Sequence, residues 1–373
     1  MQTQTRLASN EGGSVATNQP TAQLPHLYQA TPLASESPLV SIAIPAFNRE
    51  RFIDDALESA LGQTYEPLEI VVVDDASTDR TVDRVRLHSD PRIRLFLNDR
   101  NLGQCGNRNL ALAHARGELI KFLDSDDMLD PACVARMAHP FVQDPTVGLV
   151  FTRKRVIYEI ALDETPAHLR QTRLGLTRDA HRGFSELGPL NDGRTLLAEM
   201  LSGDGPIVNW IGQPSAVMVR RAHLNVSGAF AYNVRMRVEL DLWVRMLAHA
   251  RVGFIDDQLV TYRWGHEAEN ASMSRTQRDW IEQLWILEGL ARDEEVRRAY
   301  PQVDVKLHKE RRQAFRTALR LGYPAYHGAK RLPVQPYLQY AGFRTLCKIG
   351  RRPALFASLP PTPPARQLGP AAC

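Results

Sequence analysis

Leu68-Glu69-Ile70-Val71-Val72-Val73-Asp74-Asp75-Ala76-Ser77-Thr78-Asp79, "LEIVVVDDASTD", joins a continuous apolar, β-branched run to a pair of acids and then to three good helix caps. A strand that is apolar without alternation is buried on both faces, and sheets of that kind are parallel, with helices carrying the chain back across them. The caps Ser77-Thr78-Asp79 open a helix through Val82 and Val85. The unit therefore reads strand, acidic turn, helix.

The same unit recurs on both sides. Upstream, Leu39 to Ile44 is a strand stopped by Pro45, Asn48 is an N-cap, and Phe52, Ile53, Ala56, Leu57, Ala60 and Leu61 recur at helical spacing. Downstream, Ile93 to Leu97 is a third strand, Asn101-Leu102-Gly103 a turn, Asn107 to Ala115 a helix, and Glu118 to Leu123 a fourth strand. This alternation predicts an α/β fold with a mostly parallel sheet flanked by helices.

In such sheets the ligand sits beyond the carboxyl ends of the strands. Asn48 follows the first strand, Asp74 and Asp75 the second, and Asp124, Asp126 and Asp127 of "FLDSDD" at 122–127 the fourth. Like charges gathered at one rim become useful when a divalent cation neutralises them. A solvated turn at 122–127 and helix capping before Thr81 by Asp74 and Asp75 are the competing readings. No GxGxxG or Walker loop follows the first strand, and neither a DxDxT loop there nor a glycine-rich basic loop near the start is present.

Beyond Pro131 the periodicity loosens. Val147 to Phe151 reads as a strand, 153–200 as an irregular insertion, Ser215 to Arg220 as a strand, Glu239 to Ala248 as a helix and Val252 to Tyr262 as a strand-rich return. From Asp279, Trp280, Leu284, Leu287 and Leu290 fit a helix. Residues 1–37, rich in Gln, Thr, Ser, Ala and Pro, are expected to be disordered. Four cysteines at 105, 133, 347 and 373 are far apart and show no metal-ligand spacing, so neither a zinc site nor a disulfide framework is suggested and a reducing compartment is expected. With no secretory signal pattern and no run of 18 apolar residues, a cytoplasmic location is expected.

The net charge of +4 is uneven. From Pro301 to Cys373 there are 13 Lys and Arg against Asp304 and Glu310. With Phe343, Leu346, Ile349, Leu355 and Phe356 among those charges, peripheral contact with the anionic inner face of the cell membrane is expected. Aromatic residues are not interleaved with arginine in an orderly way, so no nucleic-acid partner is expected.

Seven segments together resemble inverting family 2 glycosyltransferases of the GT-A fold. They are "VSIAIPAFNR" at 40–49, "IVVVDDASTD" at 70–79, "NLGQCGNRNLAL" at 101–112, "FLDSDD" at 122–127, "QPSAVMVRR" with "SGAF" at 213–221 and 227–230, "VELDLWVRML" at 238–247 and "YRWGHEAENASMS" at 262–274. The resemblance implies a Rossmann-like sheet in a domain over 38–275, with a nucleotide-sugar half at 38–130, an acceptor half at 131–275 and a helical basic extension at 276–373 ending in a disordered Pro-rich segment. It implies transfer of a sugar, expected from a UDP-sugar, to a hydroxyl of a saccharide, a lipid-linked saccharide or a protein.

Residue by residue, the resemblance implies that Pro45, Phe47, Asn48, Arg49, Asp74 and Asp75 hold the nucleobase and ribose. Asp124 would take a ribose hydroxyl, Asp126 a Mg²⁺ or Mn²⁺ ion, and His266 the metal or the diphosphate. Asp127 matches a third acid common in the family, or caps the segment from Met128. Arg108, beside Asn107 and Asn109, would face phosphate or the acidic loop. The family's Glu-Asp-x-Asp motif is altered here, with Val238 for the Glu and Glu239 at the base position. Glu239 is the expected base and Asp241 the second candidate. Trp210 and Trp243 would stack on a sugar ring or pack in the core. A metal-dependent nucleotidyltransferase or phosphohydrolase, and a non-catalytic sugar-nucleotide-binding scaffold, are the other readings of the same rim.

Overall fold

The computed structural model describes residue 28 and residues 31–161, 163–165, 180–232, 234–265, 278–325 and 367–368. Its strands are β1 (Val40–Ala46), β2 (Leu68–Asp74), β3 (Ile93–Leu97), β4 (Leu119–Phe122), β5 (Met128–Leu129), β6 (Val147–Tyr158), β7 (Leu190–Asp192), β8 (Val217–Arg220), β9 (Arg251–Trp264) and β10 (Gln367–Leu368). Its α-helices are α1 (Ile53–Leu61), α2 (Thr81–Leu87), α3 (Gly103–His114), α4 (Cys133–Gln143), α5 (Gly193–Ser202), α6 (Leu224–Ser227), α7 (Val238–Leu247), α8 (Arg278–Leu290), α9 (Glu294–Ala299) and α10 (Val303–Ala325).

One mixed sheet runs β10-β3-β2-β1-β4-β8-β6-β9-β5, with β7 beside β9. The block β3-β2-β1-β4 is parallel, as the apolar runs predict, whereas β8 enters antiparallel to both β4 and β6. Every residue of β2 is buried. Alternate residues serve opposite layers: Ile70 and Val72 join Ile42 and Ile44 against α1 and α4, while Val71 and Val73 join Ala43 against α3, α7 and α8.

The differences from the sequence reading have local causes. Pro45 does not stop β1, which pairs with β2 as far as Ala46. Pairing with β4 ends at Ala43, so the missing N–H of Pro45 falls where the strand has one neighbour only. Asn48 does not cap α1, because it lies in the left-handed region at φ 53° and its Oδ1 accepts the Thr78 N–H at 2.8 Å. The helix expected from Asn107 starts at Gly103. Within 153–200, expected to be irregular, β6 continues to Tyr158 and α5 follows β7; the charged run Arg153-Lys154-Arg155 concealed a strand whose partner, β9, lies about a hundred residues away.

Ordered contacts also reach into the segment expected to be disordered: Tyr28 is buried with its hydroxyl donating to Asp192 at 3.0 Å, and the Thr31 N–H donates to Pro145 O at 2.9 Å. At the other end, Leu284, Leu287 and Leu290 of α8 and Val303 and Leu307 of α10 share the apolar core of α3 and α7. The helical stretch after 276 therefore completes this core. Residues Phe343 to Phe356 of the basic tail, and His266, lie outside the described residues. Among the described residues no helix is long and apolar enough to cross a membrane.

Candidate active site

The rim at the carboxyl ends of β1, β2 and β4 gathers the predicted groups and sorts them by depth. Phe47 and Asn48 are exposed at its lip. Arg49 reaches inward from the same loop, its Nε 3.2 Å from Asp126 Oδ2, while its Nη1 donates to the carbonyls of Phe47 and Asn48. The loop after β1 is thus fastened to the acidic loop after β4, and also to the loop after β2, where Ser77 Oγ accepts the Asn48 N–H at 2.9 Å.

Asp74 and Asp75 lie deeper, each no more than 3% exposed. Asp74 accepts the N–H of Ser77 at 2.9 Å and also its hydroxyl. Burial pushes the Asp74 carboxyl above its usual value, and the neighbouring Asp79 and Asp75 add to the rise against the two Ser77 bonds. Asp75 accepts Asn98 Nδ2 at 2.8 Å and the N–H groups of Leu102 and Gly103 at 2.8 and 2.9 Å. Neither acid caps α2. Asp75 instead satisfies the first donors of α3, a cap supplied from the adjacent strand end.

Asn107 continues this bracing, donating to Ala46 O and Val73 O, the last turns of β1 and β2. Asn109 clips the backbone of Phe230 with two bonds, at 2.9 and 3.0 Å. Both asparagines are buried and act as struts between α3 and its neighbours.

Arg108 stands between them and is 4% exposed. Its Nη2 lies 2.8 Å from Asp124 Oδ1 and its Nη1 3.2 Å from Glu239 Oε1. The guanidinium also sits over the Phe230 ring at 5.6 Å. Burial works against its charge, yet Asp124 and Glu239 hold it above the usual arginine range. One buried cation thus joins the acidic loop to the first turn of α7.

The two carboxylates of α7 part company. Glu239 is half-buried at the site. Asp241 is 3% exposed and its Oδ2 accepts Arg245 Nη2 at 2.6 Å; Arg245 in turn donates to Ser227 O and, at 2.9 Å, to Ala229 O. Asp241 therefore fastens α7 to the 227–229 loop. Trp243 is fully buried, bonded to Gly212 O at 3.0 Å and packed against Phe122 and Phe230. Trp210 packs edge-on to Phe184. Both tryptophans are packing residues.

The acidic loop is seated from beneath and from the side. The Asp124 N–H donates to Ser215 Oγ at 2.9 Å, and Ser215 O in turn accepts the fully buried Lys121 Nζ. Burial lowers the pKa of that lysine. Asp127 is completely buried, its Oδ1 accepting the Arg263 N–H at 3.0 Å while Oδ2 has no hydrogen-bond partner. Burial, reinforced by Asp126 and Asp124, carries its carboxyl well above the usual range; Ser215 offsets part of that rise without closing a bond of hydrogen-bonding geometry.

Arg263, not singled out by sequence reasoning, donates to Asp126 O and pairs with Glu159 and Asp55 at 2.8 and 2.7 Å. Asn98 was missed as well. As a polar residue one position past β3, it obeys the strand-end rule that exposed the other rim residues.

The donor set suits a hard cation, because Asp124 and Asp126 offer carboxylate oxygens from one loop. Among the described residues no three His, Cys, Asp or Glu side chains form a cage. A cation here would draw its other ligands from water and substrate phosphates, the usual arrangement for Mg²⁺ in nucleotide enzymes.

Residues 41–196 match the family model described as Glycosyl transferase family 2. An uncharacterised protein of Mycobacterium tuberculosis is 34% identical over 256 residues, 69% of this chain and 76% of that protein. The chain belongs to glycosyl transferase family 2. The Escherichia coli UDP-Glc:alpha-D-GlcNAc-diphosphoundecaprenol beta-1,3-glucosyltransferase WfgD is 47% identical over 90 residues, 24% of this chain and 36% of that enzyme. The crystal structure of Staphylococcus aureus TarS 1-349 in complex with UDP-GlcNAc has 20% identity and a TM-score of 0.52, covering 68% of this chain and 66% of that one. The family 2 chain thus has a GT-A-type architecture, an α/β fold with a mixed, mostly parallel sheet.

Proposed function

We propose that this family 2 protein is an inverting glycosyltransferase that moves a sugar from a UDP-sugar to an acceptor hydroxyl, with Glu239 as the base. The observation that carries the reading is the Arg108 bridge, which sets Glu239 one guanidinium away from Asp124 of the acidic loop. Asp241, the other candidate base, is buried in its pair with Arg245, which favours Glu239.

On this reading Pro45, Phe47, Asn48 and Arg49 receive the nucleoside, with Asp74 and Asp75 forming the floor beneath it. Asp124 accepts from a ribose hydroxyl. Asp126 and, from the later segment at 262–274, His266 would hold Mg²⁺ or Mn²⁺, which when bound would offset charge on the diphosphate. Glu239 takes the proton of the acceptor hydroxyl as its oxygen bonds to the anomeric carbon; the bond from that carbon to the phosphate oxygen breaks, and the nucleoside diphosphate leaves. The names of WfgD, which contains a UDP-glucose donor and a lipid-linked saccharide acceptor, and of TarS bound to UDP-GlcNAc support a uridine donor and an acceptor built into a surface polysaccharide or glycolipid.

Incubation with a panel of nucleotide sugars, Mn²⁺ and saccharide or lipid-linked saccharide acceptors tests the proposal. Free nucleoside diphosphate and a product of inverted anomeric configuration are expected. Release of monophosphate or pyrophosphate, or a product with the donor's own configuration, overturns it.

A further inference from the structure

Glu282 of α8 is a completely buried carboxylate, 43 residues after Glu239 in the chain and outside every motif of the donor rim. Its Oε1 accepts the Arg235 N–H at 2.8 Å, and its Oε2 accepts the N–H groups of Met236 and Arg237 at 2.7 and 3.0 Å. These three donors are the residues that lead directly into α7, whose first helical bond runs from the Asp241 N–H to Arg237 O at 2.9 Å. A negative charge at the start of α7 also complements the helix dipole there.

The neighbouring Gln283 extends the grip. Its Oε1 accepts the Ile207 N–H at 3.0 Å, and Ile207 O accepts Arg237 Nη1 at 2.7 Å. Glu282 and Gln283 thus hold two loops at once, and the loop before α7 is pinned by three charge-assisted bonds from a single side chain. Glu239 lies two positions beyond the last of those bonds.

We propose that Glu282 is a positioning residue for the reaction: it fixes the entry of α7, and through it the placement of the Glu239 carboxylate against Arg108 and the acceptor. The helical stretch after residue 276 is then part of the catalytic apparatus. This rests on Glu239 being the base. Glu282 contacts none of the donor-rim residues 45–49, 74–75 and 124–126 through its three backbone bonds, so its effect falls on the rate of transfer and spares the donor. Displacing a reacting group by about 1 Å costs on the order of 10²-fold in rate. An amide at this position turns one acceptor into an NH₂ group facing N–H donors, so Glu282→Gln disturbs the entry of α7 without changing the size of the side chain.

The experiment compares wild type, Glu282→Gln, Glu282→Asp and Glu239→Gln for kcat, KM, thermal melting and the dissociation constant of UDP with Mn²⁺. For Glu282→Gln a fall in kcat of about tenfold or more is expected, with the UDP dissociation constant within about twofold of wild type; Glu282→Asp, which keeps the charge, recovers part of the rate. Unchanged kcat in Glu282→Gln, or a loss that only tracks weaker UDP binding, overturns the inference. Should Glu282→Gln fail to fold, Glu282→Asp decides by the same split: lower kcat with intact UDP binding supports it, and any other pattern overturns it. Glu239→Gln separates the two failures, since full activity there sinks the base assignment itself, whereas its loss beside an active Glu282→Gln sinks the positioning role alone.

Discussion

On the side of the rim proposed for the donor, polar residues find partners in their own loop or at a neighbouring strand end. Asp74 bonds to Ser77, three residues on, Asn48 to Thr78 in the next loop, and Asp75 to Asn98 at the end of β3. Around the proposed base, Glu239, the contacts span the chain. Glu239 meets Arg108 across 131 positions, and Glu282 holds the entry of α7 from the helix beyond β9. The donor side inherits its geometry from the parallel sheet, because every parallel strand ends at the same rim. The base side owes its geometry to helices packed on that sheet, and so to the shape of the core beneath α3, α7 and α8.

Removing the carboxylate proposed to hold the cation tests the donor side most severely. Asp126→Ala is expected to reduce transfer to background, and a chelator to do the same reversibly in wild type; activity surviving in either preparation would remove the cation from the reaction. Glu239→Gln attacks the other side. A loss in kcat of about 10²–10⁴-fold is expected, the range of general-base catalysis, with UDP affinity unchanged by calorimetry. Weakened UDP binding in this variant would mean that the two sides are not separable.

Asp241→Asn sharpens the contrast within α7. Its buried pair with Arg245 makes it structural, so the variant should lose about 1–3 kcal/mol in urea unfolding while keeping most of its UDP affinity. A kcat loss equal to that of Glu239→Gln without any loss of stability would instead make Asp241 the base. The smallest effect at neutral pH concerns neither side. His223, under the opposite end of the sheet, is buried and bears no hydrogen bond at Nδ1. Burial, with Arg220 and His249 adding to it, depresses its pKa from 6.5 to about 4. The native state therefore binds this proton less readily than the unfolded chain, and the stability from neutral His223 is complete above pH 6.5 and lost as pH falls toward about 4. Each unit of that interval is worth about 1.4 kcal/mol, so melting temperatures of His223→Leu should fall less steeply than those of wild type between those limits. Parallel slopes would show that other groups govern the acid limb.

Legibility in the sequence follows the same division. The apolar runs at 39–44, 68–73 and 118–123 announced buried parallel strands, and the acids after them marked the rim. The long second half of β6 escaped notice because Arg153-Lys154-Arg155 obscures the apolar pattern and only β9 supplies its bonds. The different surroundings of Glu239 and Asp241 were equally beyond local pattern, since both begin the same helix.

What the sequence alone determined is the α/β class, the order of strands and helices through β4, and the set of polar residues delivered to the rim, because hydrophobic periodicity and strand-end position are properties of short segments. The tertiary structure decided which partner each of those residues takes. Asp75 was drawn to the N–H groups of α3, Asp241 to Arg245, and Trp243 into the core, whereas Glu239 was brought to Arg108 beside Asp124. The reason is that a buried carboxylate must be satisfied by whatever donors the packing brings within about 3 Å, and for Glu239 the partner comes from a helix more than a hundred residues away in the chain.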